Sequence, residues 1–265
     1  MVSAVLLLSV AVHGQTHNYS VANGGASGLA GDDVWTRTPV PPTLNFPGAG
    51  LGYEVDAISA RNIEPFSAFE FSVDQASFGL AGAVVAEAAT LDQQADIYQS
   101  AGTGFNALLF DGDGSSAPTL GLIEQPSAGA DNVDGWENDA VVGNIFYSYD
   151  VTAPTPPPGP PILSGADIFV GPAGPAYVVG ASPYALAALL GLDLSGAGSD
   201  DIDALVVFDD GNGTWDGTDY VLFSLTRGSA AFGNGSAYNG ANAADVLVAT
   251  AAGGAGGVFA TAASL

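Results

Sequence analysis

The chain has 265 residues, 48% apolar and 12% charged, enough to bury the core of one large domain or two small ones. Its 28 acids stand against three arginines (Arg37, Arg61 and Arg227) and no lysine, and the net charge of −25 excludes a nucleic-acid or anionic-membrane partner, both of which need clustered basic residues. There is no cysteine, so disulfides, thiolate metal sites and Cys nucleophiles are excluded as well.

The chain opens on an apolar run, Val2 to Val12 (VSAVLLLSVAV). The run is too short to span a bilayer and suits the core of a signal peptide. Residues 1–14 are therefore expected to be a cleaved signal, with cleavage after Ala11 or Gly14, and the mature chain to be secreted. A buried first strand or a membrane anchor is the competing reading. No later run is long and pure enough to predict a span once the signal is removed: Val178 to Leu194 is interrupted by Gly180, Pro183, Gly191 and Asp193. Secretion without disulfides favours a bacterial source.

Beyond the leader, four short patterns recur in a fixed order. The first is a branched apolar residue followed by Asp: Val55-Asp56, Val133-Asp134 and Ile202-Asp203. The second centres on Ser between large apolar residues: Tyr19-Ser20-Val21, Phe71-Ser72-Val73, Tyr147-Ser148-Tyr149 and Phe223-Ser224-Leu225. The third is Asp, a branched residue and a large one: Asp33-Val34-Trp35, Asp96-Ile97-Tyr98, Asp167-Ile168-Phe169 and Asp245-Val246-Leu247. The fourth is an apolar run: Leu44 to Phe46, Leu108 to Phe110, Tyr177 to Val179 and Val258 to Ala260.

Each pattern holds β-branched or aromatic residues bounded by Gly, Asp, Asn or Pro, and so predicts a strand. Four strands per unit predict one β-repeat domain over residues 15–265, with repeats near 15–52, 53–130, 131–199 and 200–265. The expected fold is all-β, a β-propeller-like array of about four four-stranded repeats. A β-sandwich or a linear stack of β-repeats satisfies the same periodicity. Helix is scarce, and Ser182 to Leu190 is the best short candidate, with Ser182 as cap and Pro183 in the first turn. The proline-rich stretch Thr152 to Pro161 reads as a surface loop inside one repeat.

The repeat character is clearest in Ala166-Asp167-Ile168-Phe169, in Asp200 to Leu205 with Val206 to Asp210, and in Leu222 to Leu225. On these residues the chain resembles secreted Asp/Gly-rich repeat proteins of planctomycete-like bacteria, many of which carry a sorting tail beginning Pro-Glu-Pro. The resemblance covers most of residues 18–265, shows no such tail, and implies no particular activity.

The acids are mostly Asp, which suits turns and oxygen-lined loops for hard cations. Asp209, Asp210, Asn212, Asp216 and Asp219 alternate with Gly and Thr in one loop, as Ca²⁺ ligands would. That loop lacks the Gly in sixth place and the closing Glu of an EF-hand. Asp111 and Asp113 form a second, shorter candidate. Both also read as solvated hairpin loops. Asp33, Asp96, Asp167 and Asp245 either converge on an axis around a cation or cap turns at their strand starts. Trp215 and Trp136, beside acids and glycines, are candidate sugar-stacking residues, with core packing as the competing role.

Enzymatic chemistry has few residues to work with. Only His17 remains after signal cleavage, so a Ser-His-Asp triad or a multi-His metal site is not expected. The expectation is a secreted, Ca²⁺-stabilised structural or adhesive repeat protein of the cell surface or extracellular matrix, with extracellular polysaccharide or surface proteins as partners. The alternative is a carbohydrate-binding protein or a glycoside hydrolase.

Overall fold

A computed structural model describes residues 17–19, 34–37, 43–46, 55–59, 69–73, 82–89, 93–101, 105–112, 120, 122, 132–139, 143–149, 164–172, 182–196, 198–233 and 235–261. The leader and the Thr152 to Pro161 stretch lie outside them. The described residues are mostly antiparallel β-sheet, with almost no helix. None of their helices is long and apolar enough to cross a membrane.

The strands follow the chain in simple meanders. β1 (His17–Tyr19), β2 (Val34–Arg37) and β3 (Thr43–Phe46) make a three-stranded sheet. β4 (Val55–Ser59), β5 (Phe69–Val73), β6 (Ile97–Ser100) and β7 (Asn106–Phe110) make a four-stranded one. So do β8 (Val133–Asp139), β9 (Asn144–Tyr149), β10 (Ile168–Pro172) and β11 (Ser182–Ala185). The last sheet holds β12 (Ile202–Phe208), β13 (Tyr220–Leu225), β14 (Val246–Thr250) and β15 (Gly254–Ala260).

The recurring residues fall at recurring irregularities. In the pairing of first with second strand, the register slips at the Val-Asp pattern in all three four-stranded sheets: after Val55, after Val133 and after Ile202. Asp134 and Asp203 are the extra residues of these bulges, and Ser72, Ser148 and Ser224 sit on the strand opposite. A bulge of this kind sharpens the local twist and bends the strand. A second slip follows the third pattern, at Val34/Trp35, Ile97/Tyr98, Ile168/Phe169 and Val246/Leu247.

The core lies between successive sheets. Ile97 and Phe110 pack with Trp136, Tyr147, Tyr149 and Phe169, while Phe146 and Tyr184 pack with Ile202, Leu205, Phe223 and Leu247. Each such side chain contributes roughly 1.5–3 kcal/mol when fully buried. β5 is buried along its whole length, whereas β13 alternates between buried and half-buried residues. The first strands β4, β8 and β12 pack on one another. A hydroxyl ties two sheets at that junction: Ser72 Oγ donates to the Val133 carbonyl at 2.6 Å.

Ser182 to Leu190 does not form the expected helix. Ser182–Ala185 is edge strand β11, Leu186 is extended, and a single 3-10 turn covers Ala187–Leu190. Pro183 has no N–H to give, which suits an edge strand as well as a first helical turn. Tyr184 decides the outcome, because in the strand its ring packs on Phe146 and Trp215. One short helix that the patterns do not foreshadow, α1 (Ala83–Ala88), precedes β6 and is held by a bond from Val84 N to Asn106 Oδ1 at 3.0 Å.

Candidate functional site

The Asp209–Asp219 loop joins β12 to β13, and its path is set by carboxylates that accept backbone N–H groups. Asp209 Oδ2 takes Gly211 N at 2.9 Å and Gly213 N at 3.1 Å. Asp210 Oδ1 takes Asn212 N at 3.2 Å, and Asn212 Oδ1 takes Thr214 N at 2.7 Å. These are successive Asx-turns, the local geometry that Asp and Asn favour. Gly211, Gly213 and Gly217 supply positive φ values of 100°, 68° and 56°, which glycine adopts without steric cost.

Asp219 anchors the loop from below. It is buried; its Oδ1 accepts Asp210 N at 3.1 Å, and its Oδ2 accepts Asp216 N at 3.1 Å and the Tyr184 hydroxyl at 3.2 Å. Tyr184 comes from β11 of the preceding sheet, and so does the Asn144 side chain on β9, whose Nδ2 reaches Asp209 Oδ2 at 3.4 Å. Burial, and then the charges of Asp219 and Asp209, push the Tyr184 hydroxyl far above the usual tyrosine range, so it remains a donor.

Three of the five expected loop ligands come together. Asp209, Asp210 and Asp219 each offer an oxygen, and these oxygens lie within 4.8 Å of one another. Ca–O bonds of about 2.4 Å let two ligand oxygens stand up to roughly 4.8 Å apart across one ion. Asp209 Oδ1 is buried and accepts no well-formed hydrogen bond among the described residues, with the Tyr184 hydroxyl close to the same carboxylate. Asn212 and Asp216 are turned to other work: Asn212 Oδ1 is taken by Thr214 N, and Asn212 Nδ2 reaches Asp216 Oδ2 at 3.4 Å. No basic residue occurs between Asp201 and Thr226 to neutralise these acids from within the segment.

The second candidate is not assembled among the described residues. Asp111 is buried beside Phe110, and Asp113 lies outside the described residues. The third-pattern aspartates serve backbone groups. Asp96 accepts Gly112 N at 2.9 Å and the Tyr98 hydroxyl at 2.8 Å; Asp167 accepts Ala187 N at 2.7 Å; Asp245 accepts Asn242 N at 3.0 Å. Asp245 caps a local turn. Asp96 and Asp167 instead bind the chain where it leaves the fourth strand, and Asp33 lies outside the described residues.

Trp136 is not a sugar-stacking residue. It is fully buried, its ring packs against Phe110 and Tyr147, and its indole N–H donates to Glu70 Oε2 at 2.9 Å. Trp215 is half-buried, edge-on to Tyr184. The reason is in the strand: Trp136 stands on β8 between two sheets, while Trp215 stands in a loop.

Sequence reasoning missed two features. Glu70 is a buried carboxylate that holds Trp136 and also receives Asn138 Nδ2 at 2.9 Å. Asp193 and Asp200 form a knot before β12. Asp193 Oδ1 accepts Ser199 N and Asp200 N, while Asp200 accepts Asp193 N and, across the chain, Ala231 N at 2.7 Å. Asp193 carries a φ of 59°, a conformation Asp tolerates better than most side chains. The mixture of Asp, Ser and Gly at 191–200 was the available signal. No family model matches the chain, and no curated protein matches it.

Proposed function

We propose that this chain is a secreted structural or adhesive repeat protein of the cell surface or extracellular matrix, stabilised by Ca²⁺ in the Asp209–Asp219 loop, and that its sheets are arranged as the blades of a propeller-like array. The observation that carries the metal reading is Asp209 Oδ1, a buried carboxylate oxygen with no well-formed hydrogen bond among the described residues, beside two further carboxylates. An anionic oxygen removed from water and left unpaired is costly, and a cation bound there offsets the cost. The packing of β4, β8 and β12 supports the array, since the first strand of each blade is the one that faces the axis. The mostly β architecture, the absence of lysine and the strong acidity all suit a passive extracellular module better than a catalyst. With Trp136 in the core, Trp215 is the remaining one of the two expected sugar-stacking residues.

The test is thermal unfolding of the full chain in chelator, in millimolar Ca²⁺ and in millimolar Mg²⁺. Ca²⁺ at roughly 100 times its Kd adds about 2.7 kcal/mol. The expected result is a rise with Ca²⁺ that Mg²⁺ does not reproduce and that Asp210→Ala abolishes. Asp210 is exposed, so the variant leaves the fold intact. Equal melting temperatures in Ca²⁺ and chelator would remove the metal from the account.

A further inference from the structure

The same loop contains an Asn-Gly pair, Asn212-Gly213, whose surroundings resemble a catalytic constellation more than a resting turn. We propose that Asn212 is a self-modification site: the folded loop accelerates its conversion through a cyclic imide to aspartate and isoaspartate, with Asp209 as the base. The inference does not depend on a bound cation.

The reaction asks for three things. The backbone nitrogen of the following residue must lose its proton and attack the Asn side-chain carbonyl carbon. The oxygen of that carbonyl must be stabilised as it takes up negative charge. The amide nitrogen must leave as ammonia. Gly213 N–H already points at a carboxylate, Asp209 Oδ2, at 3.1 Å, within the reach of a general base. Asn212 Oδ1 already accepts Thr214 N–H at 2.7 Å, so a donor stands where the oxyanion forms. Asn212 Nδ2 faces solvent, held only by a long contact to Asp216 Oδ2 at 3.4 Å, and the residue is exposed. Gly213 has no Cβ to obstruct the approach, and its φ of 68° is one that other residues rarely adopt.

The step balances without an external oxidant or metal. The Gly213 N–H proton passes to Asp209, and the N–Cγ bond forms. The intermediate's oxygen is held by Thr214 N–H. The proton returns to the departing nitrogen, the Cγ–Nδ2 bond breaks, and ammonia leaves. Water then opens the five-membered imide at either carbonyl, giving Asp or isoAsp at position 212. Either product adds a carboxylate to a loop that already holds Asp209, Asp210, Asp216 and Asp219. Contacts from Gly211 N at 2.9 Å and Asn144 Nδ2 at 3.4 Å fix the position of the base.

The chain carries its own control. Asn239-Gly240 is also exposed, with Gly240 at a φ of 86°, but Gly240 N donates to the Phe232 carbonyl at 3.3 Å, which is not a base. Full-length protein is aged at neutral pH in chelator, then cut with chymotrypsin. Cleavage after Phe208 and Trp215 releases Asp209–Trp215, in which Asn212 is the only asparagine. Mass spectrometry follows the replacement of amide by acid, and electron-transfer fragmentation separates Asp from isoAsp. Native Asn212 is expected to convert roughly 100-fold faster than native Asn239, the low end for a positioned base. In concentrated urea the two rates should coincide. Asp209→Asn should bring the native Asn212 rate down to that of Asn239.

A second readout stands even where Asp209→Asn disturbs the loop. Around neutral pH the wild-type Asn212 rate should change little, because a base already in place does the work of hydroxide, whereas a hydroxide-driven reaction climbs tenfold per pH unit. Equal native rates for the two asparagines, or a hydroxide-type pH profile at Asn212, would overturn the proposal. Ca²⁺ separates this idea from the metal reading. Slowing by Ca²⁺ supports both. Fast conversion that Ca²⁺ does not touch sinks the metal site and leaves the self-modification standing.

Discussion

Replacing Asp219 by Ala tests whether the loop is held by its buried carboxylate. Asp219 accepts three bonds: Asp210 N and Asp216 N at 3.1 Å each, and the Tyr184 hydroxyl at 3.2 Å. Asp210 and Asp216 are exposed, so water can take over their N–H groups after truncation. Tyr184 is only 4% exposed, and its hydroxyl loses its 3.2 Å acceptor, with Asp209 the one carboxylate still close to it. Two partly recoverable bonds at about 1 kcal/mol each and one buried bond to a charged acceptor at about 2 kcal/mol give a loss of about 4 kcal/mol. In a chain of this size each kcal/mol moves Tm by roughly 2–4 °C, so the fall should be roughly 8–16 °C. The assay is calorimetry in chelator, which keeps any cation out of the comparison. Tyr184→Phe in both backgrounds completes a double-mutant cycle, and a coupling of about 1 kcal/mol or more is expected for a direct buried bond. A fall under 2 °C, or strict additivity of the two substitutions, would refute the reasoning.

Other sites give equally direct tests. Glu70→Leu should cost about 3–5 kcal/mol, because the Trp136 and Asn138 donors lose a buried acceptor; Glu70→Gln, which keeps one acceptor oxygen, should cost less, and denaturant titration ranks them. Gly135→Ala should cost about 1–3 kcal/mol, since its Cβ would meet Ser148 Oγ and lie 3.0 Å from Leu205 Cβ; Ser148→Ala should relieve part of that in the double variant, as Ser148 Oγ is buried without a partner. Burial pushes the Tyr238 hydroxyl, which donates to the Leu190 carbonyl at 2.6 Å, up to about 12 from 10.0. A raised folded pKa gives stability that is complete below pH 10 and is lost as pH climbs toward 12, so Tm should fall over that interval and Tyr238→Phe should flatten part of the fall.

The strands were legible because the residues that mark them serve local geometry. Val-Asp recurs since a bulge sits there, and Ser recurs on the strand that faces the bulge. Each Asp of the third pattern precedes its strand by one residue. What could not be read were partners distant in the chain. Nothing near Tyr184 announces that it will meet Asp219, and nothing near Glu70 announces Trp136, 66 residues away. The helical reading of Ser182 to Leu190 failed for the same reason: local propensity allowed it, and the contacts of Tyr184 with Phe146 and Trp215 overrode it. In the loop the alternation of Asp and Gly was visible, but the alternation could not say which oxygens would be spent on the loop's own N–H groups.

That distinction explains why so many of these positions are Asp and not Asn. Asp96 uses one oxygen for Gly112 N and the other for the Tyr98 hydroxyl. Asp200 divides its two between Ala231 N and Asp193 N, and Asp193 divides its own between Gly198 N on one side and Ser199 N and Asp200 N on the other. Asp219 does the same with Asp210 N and the pair Asp216 N and Tyr184. An amide offers one acceptor oxygen and would turn its NH₂ toward a donor at the other position. A chain without disulfides that must tie turns to neighbouring strands can do so with short two-oxygen acceptors, and bonds to a charged acceptor are the stronger kind. The acidity of the protein then follows in part from how its turns are fastened. Asp209 is the informative exception: one oxygen is fully used, and the other, buried, accepts no well-formed bond among the described residues.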